Sequence, residues 1–278
     1  MKICFNRSNG TGCSWGGTLP GYGRDTELSV IPLDNLDQNK ITANSQQQMN
    51  IKPLGNIREK DLGGRAKILK AKGLVWYSAE TDVSVRPGWF YHADEDNAVK
   101  TPGKLMDIYF NSVGKNGVLL LNLPPSTEGL IHSVDSVHLK QWNDWRTTLF
   151  AHNILKEAKL QKGNLVQKQW RKYRYWTVDN ENPGMVSFEY TLSQESTFNV
   201  LSLQELIALG QRVERFNLEI WRDGVWKEVL AGTTIGNKRL LTFPEVSAQR
   251  VRINILASRL NPQIEQLGLY FNKGGEFK

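Results

Sequence analysis

The sequence predicts an α/β unit followed by an all-β region, and three observations carry that reading. Amphipathic stretches alternate with short apolar runs over the first 159 residues, which is the cadence of βα architecture. From about Leu160 the texture changes to short strand-like runs divided by turn signals, the pattern of an antiparallel sandwich. The βα units are too few to close a barrel by themselves.

In chain order, Gln38 to Asn50 is polar and reads as a surface loop. It leads into a helix predicted over Asn56 to Lys72, with Ile57, Leu62, Ile68 and Leu69 as its apolar positions and Gly73 as its C-cap. Leu74 to Glu80 then reads as one buried strand ending in a carboxylate. Lys104 to Val113 is amphipathic, with Leu105, Ile108, Tyr109 and Val113 on one helical face. Gly114 to Gly117 breaks it. Val118 to Leu123 is apolar throughout, as suits a parallel strand buried on both faces. Ser133 to Lys159 reads as a long helix with Leu139, Trp142, Trp145 and Leu149 near one face. Strands follow at Met185 to Leu192, Phe198 to Leu203, Val213 to Trp221, Arg239 to Phe243 and Arg250 to Ile255. Asn182-Pro183-Gly184 and Arg222-Asp223-Gly224 punctuate them as turns.

Composition narrows the function classes. The 278 residues are 40% hydrophobic and 23% charged, which is globular rather than disordered. No stretch approaches the roughly 20 apolar residues of a membrane-spanning helix. The first residues hold no apolar core of signal-peptide length, and the compartment stays open. A net charge of +7 invites a nucleic-acid reading. Against it, basic residues are scattered among acids, and the densest cluster, Lys168 to Arg174, reads as a solvated loop or strand edge. Cys4 and Cys13 have no companion Cys/His cluster at ligand spacing, so they read as unpaired thiols and no metal is expected.

Two acids and one aromatic run carry candidate chemistry. Glu80 closes an apolar run, and partial burial at such a place raises a carboxyl towards the value a general acid needs. The competing reading pairs Glu80 structurally with Arg86 or Lys72. Trp89-Phe90-Tyr91-His92 follows a rigid Pro87-Gly88, and an aromatic face there suits either a sugar or a core.

Four segments in order are similar to the retaining α-L-fucosidases, glycoside hydrolase family 29. They are Gly21 to Val30, Ala79 to His92, Gly114 to Pro125, and the pair Leu203-Gln204-Glu205 with Gly210 to Val213, followed by Thr234 to Arg239. The resemblance implies the end of a (β/α) TIM-type barrel over residues 1–159 and a discoidin-like β-sandwich over 160–278. It implies removal of terminal α-L-fucose from fucosylated glycans, with no cofactor, through a nucleophile and an acid/base about 5–5.5 Å apart. The family's nucleophile lies in a Trp-x-Asp-Gly setting near the end of the fourth barrel strand; no such motif stands ahead of the matched segments here and the chain begins after that place, so the nucleophile is expected to be absent. The match of Asp25-Thr26-Glu27 gives the acid/base role to Glu27, with Glu80 as alternative acid/base or substrate carboxylate. Trp89 matches the aromatic wall against the fucose methyl group. Leu28 stands where the family commonly has Trp, and Ser14-Trp15 stands at its Arg-Trp pair, so a sugar-contacting arginine is lost. An incomplete barrel would leave a strand edge open to self-association. Two other readings compete: a carbohydrate-binding sandwich carrying a barrel remnant, and a remnant without ligand.

Overall fold

The structure, a computed structural model, describes residues 3–4, 14–15, 22–34, 54–55, 59–180, 184–274 and 277. Cys13, the Gln38 to Asn50 loop and most of the Asn182-Pro183-Gly184 turn lie outside those residues, as do Gly21 and Asn56 to Arg58.

Three sheets organise the described chain. In the first, β1 (Ile3–Cys4) pairs in parallel with β4 (Gly73–Trp76), which pairs antiparallel with β3 (Val30–Leu33). In the second, β5 (Ala79–Ser84) lies parallel between β2 (Ser14–Trp15) and β6 (Val118–Asn122). The third has eight strands, all drawn from Lys159 onward, and is antiparallel throughout.

The expected helix over Asn56 to Lys72 is reduced, among described residues, to the single turn α1 (Arg65–Ile68). Gly63 and Gly64 sit directly before it, and glycine weakens a helix interior by about 1 kcal/mol relative to alanine. Gly63 is needed there, because an added Cβ would stand 3.0 Å from Cβ of Leu28. Gly73 is no cap but the first residue of β4. The single strand expected over Leu74 to Glu80 is two strands in different sheets, broken at Tyr77-Ser78. Tyr77 N–H bonds to Ser29 O at 2.8 Å, and β5 starts at Ala79. Glu80 is therefore the second residue of a strand, not the last of one.

The next βα unit follows the sequence closely. Helix α2 (Pro102–Asn111) begins with Pro102 behind Thr101, whose Oγ1 accepts from Lys104 N–H at 3.2 Å. It buries Leu105, Met106, Ile108 and Phe110, each worth roughly 1.5–3 kcal/mol against exposure. Helix α3 runs Ser133–Ala151 and stops short of Lys159. Asn153 ends it: its Oδ1 accepts from Leu155 N–H at 3.0 Å and from Leu269 N–H at 3.2 Å, while its amide donates to Leu267 O at 2.9 Å. Trp142, Trp145 and Leu149 of α3 do share a face, packed with Met106 and Phe110 of α2 and with Val200 and Leu240. The strand expected to be buried on both faces is not: Val118 is 41% and Leu120 50% exposed in β6. Successive residues of a strand point to opposite faces, so these two, with Glu80 and Asp82 beside them in register, mark one open face.

In the third sheet the short strands predicted pairwise fuse. Val186–Glu205 (β10) and Arg239–Ser258 (β13) are 20-residue strands paired through two register shifts. The others are β7 (Lys159–Gln161), β8 (Leu165–Trp170), β9 (Tyr173–Val178), β11 (Val213–Arg222), β12 (Val225–Gly232) and β14 (Ile264–Tyr270). Phe188, Phe198, Leu201, Leu203, Phe216 and Ile253 are among the core side chains with no exposure.

Glu205 closes β10 and is fully buried. Its carboxylate accepts from the backbone N–H groups of Arg212 at 2.8 Å, Val213 at 3.0 Å and Gly236 at 2.8 Å. Burial pushes its carboxyl up to about 7, against the downward pull of those three donors. The folded value lies above the unfolded one, so folding favours the protonated form. The stability this group confers is complete below about pH 4.5 and is lost as pH rises through about 7. Urea denaturation at about pH 5 and about pH 8 should show that loss. Glu205→Gln should remove the slope while costing about 1–3 kcal/mol at acid pH, because its amide cannot accept from Gly236 N–H.

Candidate active site

Parallel strands deliver functional groups at their C-terminal ends, and β5 and β6 end side by side at Ser84 and Asn122. Asn122 Nδ2 donates to Ser84 Oγ at 3.1 Å and to the Trp89 carbonyl at 3.0 Å. Arg86 N–H closes the turn onto Ser84 Oγ at 3.3 Å. One asparagine thus seats the loop that carries the aromatic run.

Arg86 fixes the rest of that loop. The side chain has no exposure, and such a charge persists only when paired and hydrogen-bonded. Its Nε donates to Asp135 Oδ2 at 3.0 Å, one terminal nitrogen to Asp96 at 2.8 Å and the other to His92 O at 3.2 Å. Asp135 is itself fully buried in the first turn of α3, where a carboxylate also meets the positive end of the helix. The Tyr91 ring lies 4.5 Å from the guanidinium carbon and 5.6 Å from the His132 ring. With the chain pinned at 84, 86, 91 and 92, Trp89 and Phe90 stand out from the mouth, 42% and 78% exposed. Trp89 is therefore outside the core, with its carbonyl held by Asn122 at the C-terminal ends of β5 and β6.

Neither glutamate singled out in the sequence reaches this mouth. Glu80 lies four residues before Ser84, roughly 13 Å back along β5 at about 3.3 Å per residue. Glu27 is 3% exposed and bound at the opposite end of the strands. Its carboxylate pairs with Arg24 and accepts from Ser29 N–H at 2.7 Å. Its backbone N–H donates to Thr234 Oγ1 at 3.1 Å, and its carbonyl accepts from Gln211 at 2.6 Å and from Asn116, two residues before β6 begins. Burial pushes the Glu27 carboxyl up, opposed by Arg24. That raised pKa is what a general acid requires, but the buried side chain faces the junction with the third sheet. The structure thus brings Trp89 and Asn122 together and holds both glutamates apart from them.

Periodicity and spacing missed the Arg86–Asp135 pair, 49 residues apart. A signal was present in retrospect: an aspartate in the first turn of a predicted helix, and an arginine inside an apolar strand-end motif. Replacing Arg86 with leucine strands Asp135 as an unpaired buried charge and should cost about 3–5 kcal/mol in urea denaturation. Arg86→Leu combined with Asp135→Leu should recover much of that loss, which separates the cost of the orphaned charge from mere loss of packing.

Comparison with known proteins identifies the family. Residues 26–149 match the family model described as Alpha-L-fucosidase. The chain is 37% identical over 216 residues to Alpha-L-fucosidase 1 of Arabidopsis thaliana, an alignment holding 72% of this chain and 42% of that protein. A provisionally assigned alpha-L-fucosidase 1 of Oryza sativa subsp. japonica is 39% identical over 212 residues, with 71% and 40% covered. In structure, the chain is similar to a family 29 fucosidase of Ruminococcus gnavus solved with fucose, at a TM-score of 0.73 and 25% identity. That match covers 94% of this chain and 51% of the other. A provisionally assigned alpha-L-fucosidase from Bacteroides ovatus gives a TM-score of 0.74 at 39% identity, covering 94% and 41%. The chain spans about two-fifths of the length of the curated relatives it matches. On the family match, the plant relatives and the shared fold, this chain belongs to the α-L-fucosidases, glycoside hydrolase family 29, as a region of a family member.

Proposed function

We propose that this chain forms the part of a retaining α-L-fucosidase that holds the sugar, and that it does not carry the reacting carboxylates. In this reading β2, β5 and β6 are an arc of a (β/α) barrel within residues 1–159, and residues 160–278 form a discoidin-like β-sandwich buttressing it. The observation that carries the reading is Trp89, seated at the C-terminal mouth by Asn122 and the buried Arg86. An indole at that place offers an apolar wall to the fucose methyl group, worth about 1–3 kcal/mol of preference over a sugar with a hydroxyl there.

Retention requires two carboxyl groups about 5–5.5 Å apart across the glycosidic bond. The one Trp-x-Asp-Gly segment, Trp221 to Gly224, is the turn between β11 and β12 of the third sheet, where an exposed Asp223 accepts from Lys227 at 2.6 Å, so it is not placed to supply the nucleophile. Glu27 is the better assigned to holding the junction, because its oxygens are already committed to Arg24 and Ser29. Glu80 keeps the open face of β5, where it is suited to orient groups below the sugar rather than to protonate the leaving oxygen. Fucosylated glycans are the substrates of the complete assembly. The outer edge of β6 is where the remaining strands, or a second copy, would pair.

Incubated alone with para-nitrophenyl α-L-fucoside, the chain should show no turnover above a Glu27→Ala/Glu80→Ala control. Turnover above that control would place both carboxylates within this sequence and end the proposal. Co-expression with the unmatched portion of the Arabidopsis relative supplies the second test. If activity is restored there, Trp89→Ala should raise KM about tenfold with a smaller change in kcat. In the same assembly azide should rescue neither Glu27→Ala nor Glu80→Ala. Rescue of one would return the acid/base role to that residue.

A further inference from the structure

We infer that the third sheet carries a second carbohydrate site: a cavity lined by Lys156, Trp176, Tyr190, Ser202, Gln266 and Tyr270 that takes one neutral pyranose ring of a glycan. The cavity exists because of strand geometry. Strands β9 and β14 pair only at Trp176 and Ile264, and beyond that point they diverge. Strand β10 leaves β7 after Thr191 and joins β14 from Val200, so a gap opens between its two partners. The short helical turn Ile154–Glu157 forms the wall, clamped to β14 by the Asn153 amide. The space is about 270 Å³. At about 30 Å³ per water this is roughly nine waters, room for a single sugar ring.

The lining explains the ligand class. Alternation along β14 puts Gln266, Gly268 and Tyr270 on one face, beside Ser202, which pairs with Gly268. The Tyr270 ring lies over Gly268, where an added Cβ would stand 2.6 Å from it, and meets Phe150 edge-on at 5.0 Å. That ring is fixed in place before any ligand arrives, and Trp176 supplies a second aromatic surface. Sugars present an apolar face of C–H groups and a rim of hydroxyls, which such a pair of surfaces matches.

The rim is supplied too. Among the described residues no hydrogen bond is made by the side chains of Lys156, Tyr190, Ser202, Gln266 or Tyr270, although all line the cavity. Tyr190 is only 8% exposed, and its unpaired hydroxyl keeps access to solvent on the cavity lining. Burial also pushes its hydroxyl up to about 12, so it stays a neutral donor and acceptor across the physiological range. An apolar ligand would leave these groups unsatisfied. Lys156 and Glu265 both stand on the lining, so its formal charges balance and neither an anion nor a cation is favoured. A neutral polyol ring satisfies both conditions.

This site is independent of the mouth at Trp89, and its failure would leave the fucosidase reading untouched. The test follows the indole N–H resonance of Trp176 in the isotope-labelled full chain, assigned with Trp176→Phe. L-fucose, D-galactose and D-xylose are titrated separately, with glycerol at equal concentration as control. At least one sugar should shift the resonance saturably while glycerol does not. Tyr190→Phe should weaken binding about fivefold, and Tyr270→Ala about tenfold. Trp89→Ala should leave it unchanged. Tyr190→Phe keeps the ring in place and so tests the site even if Tyr270→Ala fails to fold. No shift with any sugar, an equal shift with glycerol, unchanged affinity in Tyr190→Phe, or loss of binding in Trp89→Ala would each overturn the inference.

Discussion

Arg86 is a charge with no access to water, and the surrounding chain is arranged to keep it that way. A buried guanidinium must fill its donor positions, and the groups that do so come from three places: the loop carbonyl of His92, Asp96 in the short turn that follows, and Asp135 at the head of α3. The pair therefore fixes more than itself. It sets where α3 begins relative to the end of β5, and α3 in turn packs Trp142, Trp145 and Leu149 into the cluster shared with α2 and β10. Trp145 reaches on to Asn272 at 3.1 Å, past the last strand of the antiparallel sheet. Desolvation makes the pair weak evidence for stability but strong geometric specification, because breaking one partner costs more than the pair gains. Placing two aromatics in solvent at a defined position is a task that needs such specification.

The junction between the parallel strands and the third sheet solves a different problem with backbone groups. Asn116 sits between them: Gly236 presses on it so closely that an added Cβ would stand 2.2 Å from its amide carbon, and Gly236 has φ +69. Asn116 Oδ1 accepts from Asn237 N–H at 2.7 Å, while its amide donates toward Gln211 and Ser29. Glu205 receives Gly236 from the other side. Glu27 belongs to this same network, which gives a physical reason for a glutamate in a recognisable motif to be buried. Its neighbours, rather than a substrate, consume its hydrogen-bonding capacity.

These two networks also explain what could be read from the sequence and what could not. The α2 helix was legible because Thr101-Pro102 and the spacing of Leu105 and Ile108 are local signals. The strand at Val118 was legible in position and misjudged in burial, since an apolar run has the same composition whether or not its second face is covered. Fusion of the paired short strands into β10 and β13 was invisible, because a polar interruption reads as a turn and a bulge alike. The break at Tyr77-Ser78 was the costly miss: no glycine or proline marks it, and it moved Glu80 from the end of one strand to the start of another. The aromatic mouth was legible as a motif, while the side chains that seat it were not. Arg86 with Asp135, and Asn122 with Trp89, are long-range pairs that periodicity does not encode.

Direction along the parallel strands then decides which residues share a chemical task. Trp89, Asn122 and the Arg86 anchor stand at one end of β5 and β6; Glu27 and Asn116 stand at the other, with Glu80 one residue past the start of β5. Glu80 starts roughly 13 Å before Ser84 along β5, at about 3.3 Å per residue, and the Glu27 carboxylate is held among Arg24 and Ser29. A raised pKa does not alter this. Glu27 has the desolvation that would tune a general acid, and Glu205 has it more strongly still, yet both are turned towards backbone N–H groups in the junction. Burial perturbs acidity wherever it occurs, and only geometry separates the perturbed group that reacts from the one that holds the fold. Here geometry commits Glu27 and Glu205 to the fold and leaves Trp89, Asn122 and a fixed loop at the C-terminal ends of β5 and β6.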